Sequence, residues 1–186
     1  MARIINICNA KGGVGKSTSA TNLAAYLASM GKYVLLVDLD PQGNATAGLG
    51  VRLEADHFNI YHAIIDGHSP EGIIRKTGLF GFDLLPAGQS LAGANVELVD
   101  MQEREFRLKA ALNQIRTNYD YILIDSPPSL GLLTINGLAA AEQVIIPVQC
   151  EYYALEGLSQ LLNTIELVRE SLTPQLKILG VLLTMY

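Results

Sequence analysis

The chain has 186 residues, of which 49% are hydrophobic and 17% are charged, and its formal net charge at pH 7 is −5. This composition excludes a disordered chain and predicts one globular domain over residues 1–186 with a sizeable core. No apolar run reaches the roughly 20 residues that a membrane span needs, and the start of the chain lacks the features of a signal peptide. The two cysteines have no metal-ligand spacing and favour a cytoplasmic protein. The negative charge argues against a broad nucleic-acid surface, although a local basic patch is compatible with it.

Short apolar runs alternate with longer amphipathic stretches from the start of the chain. The run "RIINIC" predicts a strand, and a glycine-rich loop separates it from a helix over about residues 16–30. Gly31 is placed to end that helix in the left-handed conformation. The runs "YVLLVDLD" and "FDLLPAG" predict a second and a third strand. One long helix is expected over 96–117, because its apolar residues fall on one stripe.

The second half of the chain continues the same alternation. "YDYILID", "QVIIPVQ" and "KILGVLLTM" predict three further strands, separated by helices near 130–141 and 155–172. The pattern predicts an α/β fold, with a mostly parallel sheet, helices on both faces and right-handed crossovers. The sequence stops at Tyr186, directly after a strand, where a βα unit would continue with a loop and a helix. We therefore expect the chain to be the first part of a longer domain, truncated at its C-terminal side.

A phosphate-binding loop is predicted between the first strand and the first helix. It comprises Gly12, Gly13, Val14, Gly15, Lys16, Ser17 and Thr18. Glycine lets phosphate oxygens approach backbone N–H groups closely, and the helix presents its free N–H groups to the same anion. Lys16 is expected to reach the β- and γ-phosphates, Ser17 to ligate Mg²⁺ and Thr18 to contact the α-phosphate. The alternative is a glycine turn that only packs the strand against the helix. The loop departs from the usual pattern in having Ala10 in place of the first glycine and in carrying a second lysine, Lys11.

Acidic residues end two of the predicted strands. Asp38 and Asp40 follow the second strand and lie beside the phosphate loop if the first two strands are neighbours. Asp125 ends "YILID", which is a Walker B pattern, and is expected to hold Mg²⁺ through a coordinated water. Asp125 could alternatively cap the turn "SPPS". Asp38 could support Mg²⁺ waters or tie the strand end to the loop, and the sequence leaves both open.

The motif "KGGVGKST" resembles the deviant Walker A motif of the ParA/MinD family of P-loop ATPases, which are relatives of the nitrogenase iron protein. "LLVDLDPQGNATAGLG", "YDYILIDSPPSLG" and "IPVQCEYYALEGLSQLL" resemble the ParA/Soj branch in particular, so the resemblance covers essentially the whole chain. It implies a P-loop NTPase architecture like that of the nitrogenase iron protein. It also implies that ATP, ADP and Mg²⁺ are the cofactors, and that the reaction is slow hydrolysis of ATP to ADP and phosphate.

The resemblance also implies roles for individual residues. Lys11, Lys16 and Asp40 would be the catalytic residues, with Lys11 reaching across a homodimer interface to the nucleotide of the partner and Asp40 positioning the attacking water. The segments 40–48 and 125–131 would be switch loops that sense the γ-phosphate. The ATP-bound dimer would bind double-stranded DNA without sequence specificity, on the nucleoid. A ParB-type partner would then stimulate hydrolysis and release, in chromosome or plasmid partitioning.

Three other classes share the loop chemistry. A MinD-like membrane-associated positioning ATPase needs a C-terminal amphipathic helix, but "DPQGNAT" favours the partitioning branch, so membrane binding is not expected. A redox protein like the nitrogenase iron protein needs cysteine thiolates for an iron–sulfur cluster, and Cys8 and Cys150 are poorly placed for one. A metabolic kinase or a dethiobiotin synthetase-like ligase would need a substrate pocket, for which the sequence has no signature.

Overall fold

The computed structural model describes residues 1–54, 57–151 and 154–185, and in this part of the chain seven strands form one sheet in the order β3-β4-β2-β5-β1-β6-β7. The strands are β1 Arg3–Ile7, β2 Val34–Asp38, β3 Arg75–Lys76, β4 Phe82–Leu85, β5 Tyr121–Asp125, β6 Gln143–Gln149 and β7 Lys177–Thr184. Every pairing is parallel except that of β3 with β4. The predicted α/β fold with a mostly parallel sheet is confirmed.

The helices that connect these strands agree with most of the predicted ones. They are α1 Lys16–Ser29, α2 Asn44–Gly48, α3 Ile60–Ile64, α4 Ala94–Glu97, α5 Arg107–Asn113, α6 Leu132–Ala140 and α7 Ala154–Ser171. After α1, Gly31 takes the left-handed conformation with φ of 80°, as predicted. The short elements β3, α2 and α3 were not predicted, because two to five residues carry too little periodic pattern.

Helices cover both faces of the sheet. Along β2, alternate side chains point to opposite faces, so Leu35 and Val37 belong to one buried cluster while Val34 and Leu36 belong to the other. The second cluster contains the buried alanines of α1, and the first contains residues of α3, α5, α6 and α7. None of the helices in the described residues is long and apolar enough to cross a membrane.

The single helix predicted over 96–117 is wrong. The chain instead forms α4, a 3₁₀ turn at 98–100, an irregular stretch, α5 and a second 3₁₀ turn at 116–118. Glu103 has a positive φ of 51°, which an α-helix does not accommodate. Asn136 of α6 replaces the missing helical bonds, because its amide accepts from the N–H of Leu108 and donates to the carbonyl of Arg104. The apolar stripe therefore indicated burial correctly but not a continuous helix.

Asp38 and Asp40 were expected to lie beside the phosphate loop if the first two strands were neighbours, and the strand order does not meet this condition. β1 and β2 are not neighbours, because β5 lies between them. In the register of the sheet, Asp125 is the partner of Ile7 on one side and of Asp38 on the other. The last residues of β2 and β5 therefore lie side by side at the carboxyl edge of the sheet, which is where open α/β sheets bind ligands.

Candidate functional site

A cavity of about 600 Å³ opens at this carboxyl edge. Six residues of the predicted phosphate loop line it: Gly12, Gly13, Gly15, Lys16, Ser17 and Thr18. Asp40 and Pro128 line it as well, one from each of the two segments expected to be switch loops. The structure thus brings the loop and both segments to one cavity.

The backbone of the loop suits an anion. Gly13 and Gly15 have φ of 74° and 86°, in the left-handed region that other residues adopt only with strain. Gly15 is the N-cap of α1, and in the described part of the chain no side chain accepts a hydrogen bond from the first N–H groups of this helix. The first turn of α1 contains no acidic residue. The positive end of α1 is therefore left for a bound anion. Val14 is buried, and its carbonyl accepts a hydrogen bond from the Thr184 hydroxyl at 3.0 Å, which ties the loop to the end of β7.

Lys16 is buried inside the loop. Its ammonium group donates to the carbonyl of Lys11 at 3.0 Å. Burial lowers the pKa of Lys16, and the nearby Asp125 and Asp40 carboxylates partly oppose that shift. The loop therefore holds a cation in a poorly solvated place, where an incoming phosphate would interact with it strongly.

Asp38 is fully buried and makes three hydrogen bonds. Its Oδ2 accepts from the backbone N–H of Thr46 at 2.8 Å and from the Thr46 hydroxyl at 2.7 Å. Its Oδ1 accepts from the backbone N–H of Asp40 at 3.2 Å. Burial raises the pKa of Asp38 to about 6, although these hydrogen bonds favour the ionised form. Asp38 therefore ties the end of β2 to the segment that follows it.

Asp125 is also fully buried, but neither of its carboxylate oxygens has a hydrogen-bond partner in the part of the chain that the structure describes. Burial raises the pKa of Asp125 to about 7. The negative charge of Asp38 raises the pKa of Asp125 further, whereas the nearby Ser17 hydroxyl and the charge of Lys16 lower it. The Ser17 hydroxyl does not have the geometry of a regular hydrogen bond to Asp125. Buried oxygens are normally paired, and carboxylate oxygens beside a phosphate loop are the ligands that Mg²⁺ prefers. The residues present therefore fit a magnesium ion.

Replacing Asp125 with asparagine is expected to stabilise the nucleotide-free protein near neutral pH. The folded-state pKa of Asp125 is raised to about 7, whereas the unfolded pKa is about 4. The free energy of unfolding is therefore highest below about pH 4, and it decreases as the pH rises to about 7. At about pH 7.5 the variant removes a burial cost of about 2 kcal/mol, which should raise the melting temperature by about 4–8 °C.

Melting curves at about pH 7.5 and about pH 4 check this prediction, because most of the gain should disappear at the lower pH, close to the unfolded pKa. The exposed Asp66 provides a matched control, and Asp66→Asn should not change the melting temperature at either pH. A variant that melts below the unchanged protein at the higher pH would contradict the expectation.

The side chain of Lys11 is bound outside the phosphate loop, although its backbone carbonyl accepts from Lys16. Its ammonium group forms an ion pair with Glu151 at 2.8 Å and a longer contact with Gln149 at 3.5 Å, both at the end of β6. Among the described residues, those that line the cavity do not include Lys11. Its backbone N–H is held by the Asn9 side chain, which also donates to the carbonyl of Pro147 at 2.6 Å. The structure therefore positions the Lys11 backbone firmly and leaves its side chain in a partly exposed ion pair.

Sequence reasoning did not single out Thr46, Asn9 or Glu151. Thr46 lies within the predicted switch segment 40–48, but nothing local shows that its hydroxyl binds Asp38. Glu151 is 140 residues from Lys11, and only the pairing of β6 beside β1 brings the two together.

Comparisons with known proteins identify the family. The sequence pattern of the family described as "AAA domain" matches residues 2–178. The chain is 57% identical over 185 residues to the sporulation initiation inhibitor protein Soj of Bacillus subtilis (strain 168), covering 100% of this chain and 73% of that protein. It is 55% identical over 186 residues to the chromosome partitioning protein ParA of Myxococcus xanthus (strain DK1622), covering 100% of this chain and 66% of that protein.

A solved structure supports the fold. It is that of cobyrinic acid a,c-diamide synthase from Mycobacterium smegmatis with bound ATP analog and magnesium. It superposes with a TM-score of 0.96 at 42% identity, over 100% of this chain and 76% of that one. Together with the identities to Soj and ParA, this confirms the resemblance that the motifs indicated. The chain therefore belongs to the AAA domain family and, within it, to the ParA/Soj family of P-loop partitioning ATPases.

Proposed function

We propose that this chain is an ATP-dependent dimerising switch for chromosome or plasmid partitioning. In the ATP state it forms a homodimer that binds double-stranded DNA without sequence specificity, and it releases the DNA after a ParB-type partner stimulates hydrolysis. The observation that carries the proposal is the placement of Lys11, which lies outside the cavity of its own chain and is held by an exposed acid.

ATP would bind with its phosphates on the loop 12–18 and on the N-terminus of α1. Lys16 would bind the β- and γ-phosphates, and Thr18 would contact the α-phosphate. Ser17 and Asp125 would hold Mg²⁺, Asp125 through a water, and Asp38 would support that water shell. The ion would neutralise charge on the phosphates. Mg²⁺ usually takes only one or two protein carboxylates, so this small set of ligands is sufficient.

Asp40 would orient the attacking water. It lines the same cavity as the phosphate loop, and its Oδ1 accepts from the backbone N–H of Gln42 at 2.9 Å. Its own backbone N–H is bound by Asp38. A loose phosphoryl-transfer transition state needs a positioned water more than early proton removal, so a carboxylate that only orients the water is sufficient.

Lys11 would supply a cation to the nucleotide of the other subunit. Its ion pair with Glu151 is partly exposed, with 33% and 50% of the two side chains accessible. Exposed pairs contribute only about 0–1 kcal/mol, so the pair can be exchanged for a stronger contact with phosphate. A cation that acts only across the interface makes dimerisation depend on ATP, as an arginine finger makes hydrolysis depend on a partner.

The names of the relatives support partitioning over the other classes that share the loop. Soj and ParA are 57% and 55% identical to this chain, whereas the diamide synthase structure is 42% identical. A ParB-type partner and a location on the nucleoid follow from partitioning. Membrane binding, which a MinD-like ATPase would show, is not part of the proposal.

The test uses Asp40→Ala, which should trap the ATP state. We expect this variant to bind non-specific duplex DNA tightly with ATP and weakly with ADP, and to lose most of that affinity between about 50 and about 200 mM salt. Fluorescence anisotropy with a labelled duplex measures both. The double variant with Lys11→Ala is the matched control and should not bind DNA with either nucleotide. ATP-dependent dimers that fail to bind DNA would contradict the proposal and favour a membrane or protein surface as the partner.

A further inference from the structure

Thr46 is a buried polar residue of α2 whose hydroxyl both donates and accepts a hydrogen bond. The hydroxyl donates to Asp38 Oδ2 at 2.7 Å and accepts from the backbone N–H of Ala87 at 3.0 Å. Its backbone N–H donates to the same carboxylate oxygen at 2.8 Å. Only 4% of the residue is exposed, so water cannot replace these bonds.

Three segments meet at this hydroxyl. Asp38 ends β2, Thr46 belongs to the switch segment 40–48, and Ala87 follows β4 two residues after the strand ends. The segment around Ala87 is anchored in turn, because the Pro86 carbonyl accepts from the N–H of Ile60 at the start of α3. A hydroxyl can donate and accept at the same time, which a single carboxylate or amide N–H cannot do. Thr46 thus joins the switch segment to two fixed parts of the fold.

The hydrogen bonds of Thr46 are connected through Asp38 to Asp40, which lines the cavity. The second oxygen of Asp38 holds the backbone N–H of Asp40 at 3.2 Å. Rotation of the Asp38 carboxylate would move both of its oxygens, so the bonds that Thr46 makes to Oδ2 also fix the oxygen that holds Asp40. Asp40 itself accepts from Gln42, within the same segment, and gains no anchor to the sheet from that bond.

We propose that the Thr46 hydroxyl is a positioning group for ATP hydrolysis. It fixes the Asp38 carboxylate against the segment after β4, and through Asp38 it sets the backbone position from which the Asp40 carboxylate reaches the water. The inference rests on the proposed function, because it assumes that Asp40 positions water for hydrolysis. Thr46 touches neither the nucleotide nor the attacking water in this scheme, so its loss should lower the rate much more than the nucleotide affinity.

The test separates this role from a purely structural one. Thr46→Val keeps the shape but removes the donor to Asp38 and the acceptor for Ala87, and we expect kcat to fall by about 10- to 100-fold. KM should change by less than about 3-fold, because the phosphate loop is untouched. Thr46→Ser restores the hydroxyl and should bring kcat back to within about 3-fold of the unchanged protein. The ATP-dependent dimer of Thr46→Val, measured by sedimentation velocity, should persist longer than that of the unchanged protein.

Two control variants show whether a negative result contradicts the role of Thr46 or the proposed function itself. Thr117→Val makes the same change at an exposed position and should leave kcat as it was. If the unchanged protein hydrolyses ATP no faster than Lys16→Ala, the proposed function is wrong. If the unchanged protein is active and Thr46→Val has the same kcat, or Thr46→Ser is as slow as Thr46→Val, the role of Thr46 is wrong. If Thr46→Val does not show a cooperative melting transition, Thr46→Ala is measured in its place. With either variant, a Thr46→Ser protein that hydrolyses ATP as slowly would overturn the inference.

Discussion

The Lys16→Ala variant is expected to lose detectable ATP binding. Lys16 is the buried cation of the loop, and its ammonium group already lies over the loop, bound to the Lys11 carbonyl. Replacing that carbonyl with phosphate oxygens gives charge-assisted hydrogen bonds of roughly 1.5–3 kcal/mol each. Loss of two such contacts corresponds to a weakening of at least about 100-fold in Kd. Titration calorimetry with ATP and Mg²⁺ measures the change directly.

Two comparisons make this result specific. Lys32→Ala removes the same charge at an exposed position beyond the other end of α1, about 20 Å along the helix axis, and should bind ATP like the unchanged protein. The melting temperature of Lys16→Ala without nucleotide should stay the same or rise, since burial disfavours its charge. Tight ATP binding by a folded Lys16→Ala variant would remove the basis for assigning the loop to phosphate.

Much of the fold was predictable because its signals are local. The buried strands read as continuous apolar runs, the left-handed Gly31 ended its helix, and the glycine loop stood between a strand and a helix. The carboxyl edge could be predicted too, because parallel strands end on one side and two of them carry acidic residues there. These inferences needed only the period of the side chains and the conformational preferences of glycine.

The parts that were missed depend on contacts between distant residues. The helix over 96–117 failed because Asn136 binds the backbone of Arg104 and Leu108 in place of helical partners, and no local pattern shows this. The order of β1 and β2 could not be read from their sequences, because two buried strands of similar composition fit either place. The bond from Ala87 to Thr46 spans 41 residues. Local sequence therefore placed the site residues near one edge, while their pairing came from the folded chain.

The pairing of Lys11 with Glu151 shows how such a contact bears on function. In the described structure the lysine is neutralised by its own chain, and within a dimer it would have to leave Glu151 to reach the other nucleotide. In the proposed mechanism, dimerisation therefore competes with this ion pair. The competition predicts opposite effects for variants at its two ends, which a lysine with no role in the dimer would not produce.

Lys11→Ala is expected to bind ATP within about 3-fold of the unchanged protein but to form no ATP-dependent dimer. A desolvated charge contact across an interface costs about 2–5 kcal/mol when one partner is truncated, and a symmetric dimer has two of them, so the dimer constant should fall by roughly 1,000-fold or more. Glu151→Gln keeps the lysine and removes the charge that holds it, and a symmetric dimer has two such pairs, so the ATP dimer should tighten by up to about 30-fold. Sedimentation velocity with ATP and with ADP measures both changes.

The double variant completes this cycle, because without Lys11 the loss of Glu151 has nothing to release. Lys11→Ala with Glu151→Gln should therefore remain monomeric like Lys11→Ala alone. If Glu151→Gln instead tightened the dimer in both backgrounds, the acid would act by general repulsion between two negatively charged chains and not by holding Lys11. If Lys11→Ala still dimerised with ATP, the cation would not act across the interface, and dimerisation would have to depend on the switch segments alone.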